Sequence, residues 1–371
     1  MQTLSNIFHL GIKELRSLGR DNIMLFVIVF IFTGQIYIVA KGLPQSLNRA
    51  TIAIIDEDQS PLSMRISNAF YPPHFLNPDI IDSYHAEPSM DKGLYTFILN
   101  IPPNFQRDVL AKRQPTVQLN IDATRISQAF IGNNYIQTIT YNEVQHFVQS
   151  NEQQPVELEL RTLFNSNLNS IWFGAVMEML NGITALSVIL TGAALIRERE
   201  HGTIEHLLVM PVTPLEIMLA KVWSMGLTVV LTATVCIVFV IHGSLEVPIQ
   251  GSLALFIAGM SVYLFATTSL GILLGTVANS MPQFGLLLLV ILLPLEMLSG
   301  GFTPRESMPT LIQHLMLAAP STHFVALAQT ILYRGGDFSI VWQQFLALTF
   351  IGGIFFIWAL TRFRNTISSM T

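Results

Sequence analysis

The side chains best suited to chemistry in this chain are nine histidines, one cysteine and a scatter of carboxylates, and their spacing sets what they can do. Zinc needs imidazoles or thiolates at short fixed intervals. His74 and His85, His201 and His206, and His314 and His323 lack the H-x-x-x-H interval and have no cysteine beside them, so no metal site is expected. Cys236 lies alone inside an apolar run and reads as a small buried hydrophobe. No lysine follows a glycine anywhere, which excludes the G-x-x-x-x-G-K-[ST] phosphate cradle, and no serine sits in a glycine-flanked elbow. The chain is therefore expected to be neither an enzyme nor the holder of a cofactor. Two placements of charge stand out instead. One is an island from Arg197 to Lys221 between two long apolar runs; the other is a pair of carboxylates, Glu178 and Glu296, set inside apolar runs. A charge at mid-bilayer costs about 3 kcal/mol on insertion scales, so each carboxylate must face protein or water.

The island cannot lie in hydrocarbon, because Arg197, Glu198, Arg199, Glu200, His201, Glu205 and His206 fall within ten residues. Gly202 can relax the backbone after R-E-R-E. Ile204, Leu207 and Leu208 offer a small apolar face at helical spacing. Pro211 interrupts, and Thr213, Pro214 and Glu216 form a T-x-x-E capping box with proline at the first helical position. The pattern predicts a short helix held crosswise between two spans.

The elements that must position these residues are membrane helices. At 51% hydrophobic and 12% charged residues the chain carries half the charge of a soluble domain. Its net charge of -5 gives no reason to expect nucleic acid. Leu4, Ile7, Phe8, Ile12 and Leu15 recur at helical spacing in residues 1–22, predicting an amphipathic elbow at the membrane surface, in contact with lipid. Residues 23–40 are the first expected span. They are followed by a soluble α/β domain over 41–170, with strands at Thr51–Ile55, Leu94–Ile101 and Thr116–Ile121 and a helix capped by Ser60 and opened by Pro61. A last strand is expected in Val156–Leu163. Further spans are expected at 171–196 and 222–241, flanking a loop over 197–221. Val247 to Leu295 carries no charge and as one helix would run about 73 Å, more than twice the hydrocarbon thickness. It must fold back near Asn279 to Gln283, giving spans at 252–278 and 284–301. Gly271 and Gly275 in the former make a helix-packing pair, expected to act within one subunit. Residues 302–338 are too apolar for an ordinary loop yet broken by Pro309 and Pro320, which predicts two re-entrant helices, the second capped by Ser321 or Thr322. A sixth span at 339–361 and a tail over 362–371 complete the chain. Lys13, Arg16, Arg20, Arg197, Arg199, Lys221, Arg362 and Arg364 all fall on one side, which the positive-inside rule makes cytoplasmic, with both termini there and the α/β domain periplasmic.

The run E-R-E-x-G-T-x-E-x-L, its proline-bounded turn and E-x-x-x-x-K resemble the cytoplasmic loop of ABC-2 type transport permeases. S-G-G-F-T-P-R-E-S-M-P, A-A-P-S-T-H-F and I-L-Y-R-G-G between Ser299 and Gly336 are similar to the outer re-entrant region of the same family. The likeness covers nearly the whole chain, and its order of parts resembles that of bacterial inner-membrane drug-efflux permeases. It implies an export permease without its own nucleotide site, driven by a separate ABC ATP-binding subunit that uses ATP and Mg. It also implies a second permease chain, homo- or heterodimeric, and leaves room for a periplasmic adaptor. The coupling contact is expected at Glu198, Glu200, Gly202, Thr203, Glu205, Leu207 and Leu208. The substrate pathway, for drugs or other small amphipathic or cationic molecules, is expected along Glu178, Glu296, Gly300, Gly301 and Pro320. Two other readings stay open: a device that passes force or a signal to the periplasmic domain, and a self-powered carrier. The carrier reading lacks an internal repeat and has only two intramembrane carboxylates.

Overall fold

Long apolar segments free of charge have no way to satisfy their backbone in a bilayer except as helices, and helices dominate the computed structural model. It describes residues 2–42, 47, 49–122, 126–148, 170–200, 202, 212–301, 303 and 308–368. The chain divides into two compact units, Met1–Gly42 with Thr162–Thr371, and Leu43–Arg161.

In the first unit, α1 (Gln2–Leu18) precedes a span made of α2 (Asn22–Phe30), a π-helical turn (Ile31–Gln35) and α3 (Ile36–Gly42). Then follow α8 (Ser170–Glu200), α9 (Pro214–Cys236) with a second π-helical stretch (Ile237–Ser244), and α10 (Leu253–Val277). α11 (Met281–Met297), α12 (Thr310–Met316), α13 (Pro320–Leu332) and α14 (Phe338–Ser368) complete it. Among the described residues five helices are long and apolar enough to cross a membrane, six if α12 and α13, bent by 83°, count as one span. The protein is a polytopic membrane protein.

α8 is the axis of this unit: 83% of its apolar window is buried, against 22% for the first and last spans. It lies against α10 along a line of small and hydroxyl residues. Thr184 shares a hydrogen bond with Tyr263 at 2.7 Å, and Ser187 donates to Thr267 at 2.7 Å. A Cβ on Gly271 would come within 2.1 Å of Thr191 Oγ1, and one on Gly275 within 3.2 Å of the Gly192 carbonyl. The glycine pair thus brings α8 and α10 close inside one chain. Tyr263, fully buried, stacks on Phe324 of α13 at 4.0 Å.

Several boundaries differ from the sequence-based ones. α8 runs on to Glu200 and α9 starts at Pro214, so both ends of the stretch 197–221, and Lys221 with them, are helical, while residues 201 and 203–211 lie outside the described ones. α11 starts at Met281 and stops at Met297 instead of spanning 284–301; Pro294 lacks an amide to bond backward, and Gly300 turns at φ +94°. Its 17 residues rise about 25 Å, short of a full hydrocarbon core. The cap of α13 is Ala319 rather than Ser321 or Thr322, with Pro320 at the first helical position.

In the second unit β1 (Ile52–Asp56), α4 (Pro61–Asn68), β2 (Asp79–Ile80), α5 (Ser83–Asp91), β3 (Phe97–Ile101), α6 (Phe105–Leu110), β4 (Gln118–Ile121) and α7 (Ile126–Val148) build a four-stranded sheet ordered β2-β1-β3-β4. β1 is parallel to β2 and β3, and β4 antiparallel to β3, with Ile52 opposite Phe97 and Phe97 opposite Ile121. One face packs Ile52, Ile54, Phe97 and Leu99 on Leu62, Ile66, Phe105 and Ile136; the other packs Ala53, Ile55 and Ile98 on Ala86. Coverage on both faces explains the near-continuous apolar run of β1. Ser60 caps α4, accepting from the Ser63 amide with Pro61 behind it, as its residues predict. The strand expected at 156–163 lies outside the described residues.

Candidate functional site

Two groups of charged side chains sit toward opposite ends of α8. Glu178 and Glu198 are 20 residues apart on this helix, roughly 30 Å, about one hydrocarbon thickness.

At the 201–213 end, local sequence sets the termini. Gly202 adopts φ +67° and its amide donates to the Arg199 carbonyl, closing α8. The capping box opens α9: Thr213 Oγ1 accepts from the Glu216 amide and Glu216 Oε2 from the Thr213 amide at 2.6 Å. Thr203, Glu205, Leu207 and Leu208 lie outside the described residues. Of the remaining contact candidates, Glu198 turns inward and Glu200, though exposed, is engaged within the chain. Glu198 Oε1 accepts from Lys13 Nζ at 2.8 Å, and its Oε2 lies 2.7 Å from Lys221 Nζ. Glu200 accepts from the Met281 amide at 2.9 Å, and Arg199 Nη1 donates to the Ala278 carbonyl at 2.7 Å, fastening the α10–α11 turn to the end of α8.

α1, expected as an amphipathic elbow at the membrane surface, also packs against α9. Its buried residues are Gly11, Glu14 and Leu18, whereas Leu4 and Phe8 are exposed. Gly11 admits the Trp223 ring, which a Cβ there would meet at 2.1 Å, and Trp223 Nε1 donates to the Ile7 carbonyl at 3.1 Å while its ring stacks on Phe8. Glu14 Oε1 accepts from Lys221 Nζ at 3.0 Å. Lys221 is 1% exposed, so it is no surface marker of topology; its ammonium sits between two carboxylates. Burial pushes the Glu14 carboxyl up, against the pull of that ammonium. Asp21, capping α2 by accepting from the Met24 amide, also accepts from Arg197 Nη1 at 2.6 Å; the amide bond, then Arg197, hold its carboxyl below the usual range. Sequence reading missed Glu14 and Trp223 as packing residues. Its available signal was a lysine in the second turn of an apolar helix, a position that requires a counter-charge.

At the other end, Glu178 is 8% exposed and accepts from Gln35, the last residue of the first π-helical turn, and from Asn181. Glu296, half-buried on α11, lies within coulombic range of Glu178 and of Tyr263. A Cβ on Gly301 would meet Met177 Sδ at 2.7 Å, which sets the end of α11 beside Glu178 on α8. Ser321 donates to the Leu295 carbonyl at 3.2 Å, bringing the start of α13, with Pro320, to the same place. Glu178, Glu296, Gly301 and Pro320 are therefore brought together by α8, α11 and α13, with Gly300 in the turn between.

The ABC-2 family transporter protein family matches residues 22–362. The chain belongs to the ABC-2 transporter family. This permease is 59% identical to the inner membrane transport permease YhhJ of Escherichia coli (strain K12), over the full length of both chains. It is 28% identical to the probable multidrug ABC transporter permease YbhR of the same organism, covering 91% of this chain and 93% of the relative. It is 26% identical to the probable multidrug permease YbhS, covering 90% and 89%.

Proposed function

We propose that this ABC-2 permease is the membrane subunit of an ATP-driven exporter in a bacterial inner membrane, working as a dimer and driven by a separate ABC ATP-binding subunit that supplies ATP and Mg chemistry. The observation that carries the reading is the placing of residues 201–213, a short stretch of mixed polar and apolar side chains, between the ends of α8 and α9, two spans braced to α1 through Glu198 and Lys221. A force applied to such a segment reaches two membrane helices at once. Thr203, Glu205, Leu207 and Leu208 supply the contact, an apolar anchor inside a charged rim. Glu198 and Glu200 support it from behind, since their carboxylates are engaged within the chain.

The segment faces the cytoplasm and the α/β unit the periplasm, a reading that rests on the bias of lysine and arginine. The polar group around Glu178 and Glu296 then belongs to the outer half of a pathway for small amphipathic or cationic molecules; the relatives described as multidrug permeases support that class. Copurification in mild detergent, with mass spectrometric identification of bound proteins, tests the reading. Recovery of an ABC ATP-binding subunit is expected, and a periplasmic adaptor would extend the assembly. Glu205→Lys is expected to leave membrane insertion intact and to weaken that recovery; unchanged recovery and unchanged transport would remove the segment from the contact.

A further inference from the structure

The four side chains Lys13, Glu14, Glu198 and Lys221 join three helices through two different kinds of contact. Between α1 and α9 the contact is steric as well as ionic: Gly11 fits the Trp223 ring, Trp223 donates to the Ile7 carbonyl, Asn6 donates to Glu216 at 3.4 Å, and Glu14 accepts from Lys221. Between α1 and α8 the packing is open. A cavity of about 270 Å³ lies there, lined by Lys13, Glu14, Ser17, Arg197 and Glu198 over an apolar floor including Leu190 and Met225. An ionic link, Lys13 to Glu198, crosses that gap, and beside it Arg197 of α8 pairs with Asp21 at the start of α2. Each pair has one partly solvated cation, Lys13 50% and Arg197 36% exposed at the side chain, and solvated pairs hold weakly. Glu198 is 11% exposed at its side chain and Lys221 2%, so the carboxylate end of the first link is anchored in the interior while its Lys13 end is half-exposed.

We infer that this cluster is the joint through which α1 moves with the helices on both sides of the 201–213 segment, with Glu198 and Lys221 as its positioning residues. The inference rests on the proposed role of that segment as the contact for the ATP-binding subunit. Lys221 fixes the arrangement because its ammonium satisfies a carboxylate from α1 and one from α8 simultaneously. Any shift of α8 relative to α9 must drag Glu198 past an ammonium that α1 also holds. The cavity supplies room for that movement, so α1 follows α9 by shape and α8 by charge. α1 is thus a third moving part of the coupling apparatus rather than only a membrane anchor.

The test removes the direct Lys13–Glu198 link to α8, reduces the one through Lys221 from an ion pair to a hydrogen bond, and leaves the link to α9. In Lys13→Met/Glu198→Gln one cation and one anion go together, Glu14 keeps Lys221, and the glutamine still accepts from that ammonium. Purified parent and variant are each reconstituted with the ATP-binding subunit recovered with the parent. Complex formation, melting temperature and permease-dependent stimulation of ATP hydrolysis are then compared. The expected result is parental binding and melting with stimulation reduced about tenfold, within the usual range of coupling between sites. Lys13→Gln alone, at a half-exposed position, is expected to reduce stimulation in the same direction and serves if the double variant fails to accumulate. Parental stimulation in a folded variant would overturn the joint. Loss of binding would also overturn it, making Glu198 a direct contact. A parent chain that binds no ATP-binding subunit would instead overturn the functional reading on which the joint depends.

Discussion

Single side chains here are governed by what neutralises them. Glu296 lies in the field of a second carboxylate, Glu178, and two carboxylates facing one pathway favour a passing cation. Glu296→Gln keeps volume and most hydrogen bonding. It is expected to slow ethidium export about tenfold, the size of one lost contact of about 1.4 kcal/mol, without changing recovery of the ATP-binding subunit. Transport of ethidium by vesicles holding equal amounts of parent and variant checks this, and equal rates would make Glu296 structural. Asp21 offers a pH test. Its carboxyl is held below the ordinary range because the ionised form caps α2 and meets Arg197, so the folded state binds its proton less readily than the unfolded state. That stability is present above the ordinary aspartate value of about 3.9 and is lost as pH falls through the lowered one. Asp21→Ala is expected to cost about 1 kcal/mol at pH 7, with the deficit shrinking as pH drops below about 4, in melting curves recorded against pH.

At the scale of helices, legibility followed sequence distance. Ser60 with Pro61, and Thr213 with Pro214 and Glu216, announce helix starts within four residues, and both boxes are formed. Gly202 likewise ends α8 where its missing Cβ permits positive φ. β2 and α5 escaped because two residues hold no periodicity and Pro88 sits inside a nine-residue helix. Ser321 reads as a cap but its hydroxyl goes to the Leu295 carbonyl, a partner 26 residues away. The docking of α1 was least legible of all, since Glu14 and Lys221 are 207 residues apart and no spacing rule relates them. Gly11→Val tests that docking. The added carbons would strike the Trp223 ring, at a cost of about 1–3 kcal/mol typical of overpacking. A lower melting temperature is expected, partly recovered by adding Trp223→Leu; no change would mean that α1 is not seated on α9.

For the whole molecule the orientation of the bundle decides the meaning of every site. A reporter active only in the periplasm is expected to be active when fused near Gln114 and silent near Thr203; activity at Thr203 would reverse the pathway and the coupling end together. Membrane character was legible from composition alone, because apolar runs of this length leave the backbone no alternative. The pairing of charges was not, and it has an electrical consequence. Lys13 and Lys221 against Glu14 and Glu198 sum to zero formal charge. A lone lysine displaced through the field of an energised membrane would do work of up to about 2.3 kcal/mol for each 100 mV crossed. Displaced together the four carry no net gating charge, so voltage would neither drive nor oppose their common movement along the membrane normal, and only a movement of Glu198 relative to Lys221 would couple to the field.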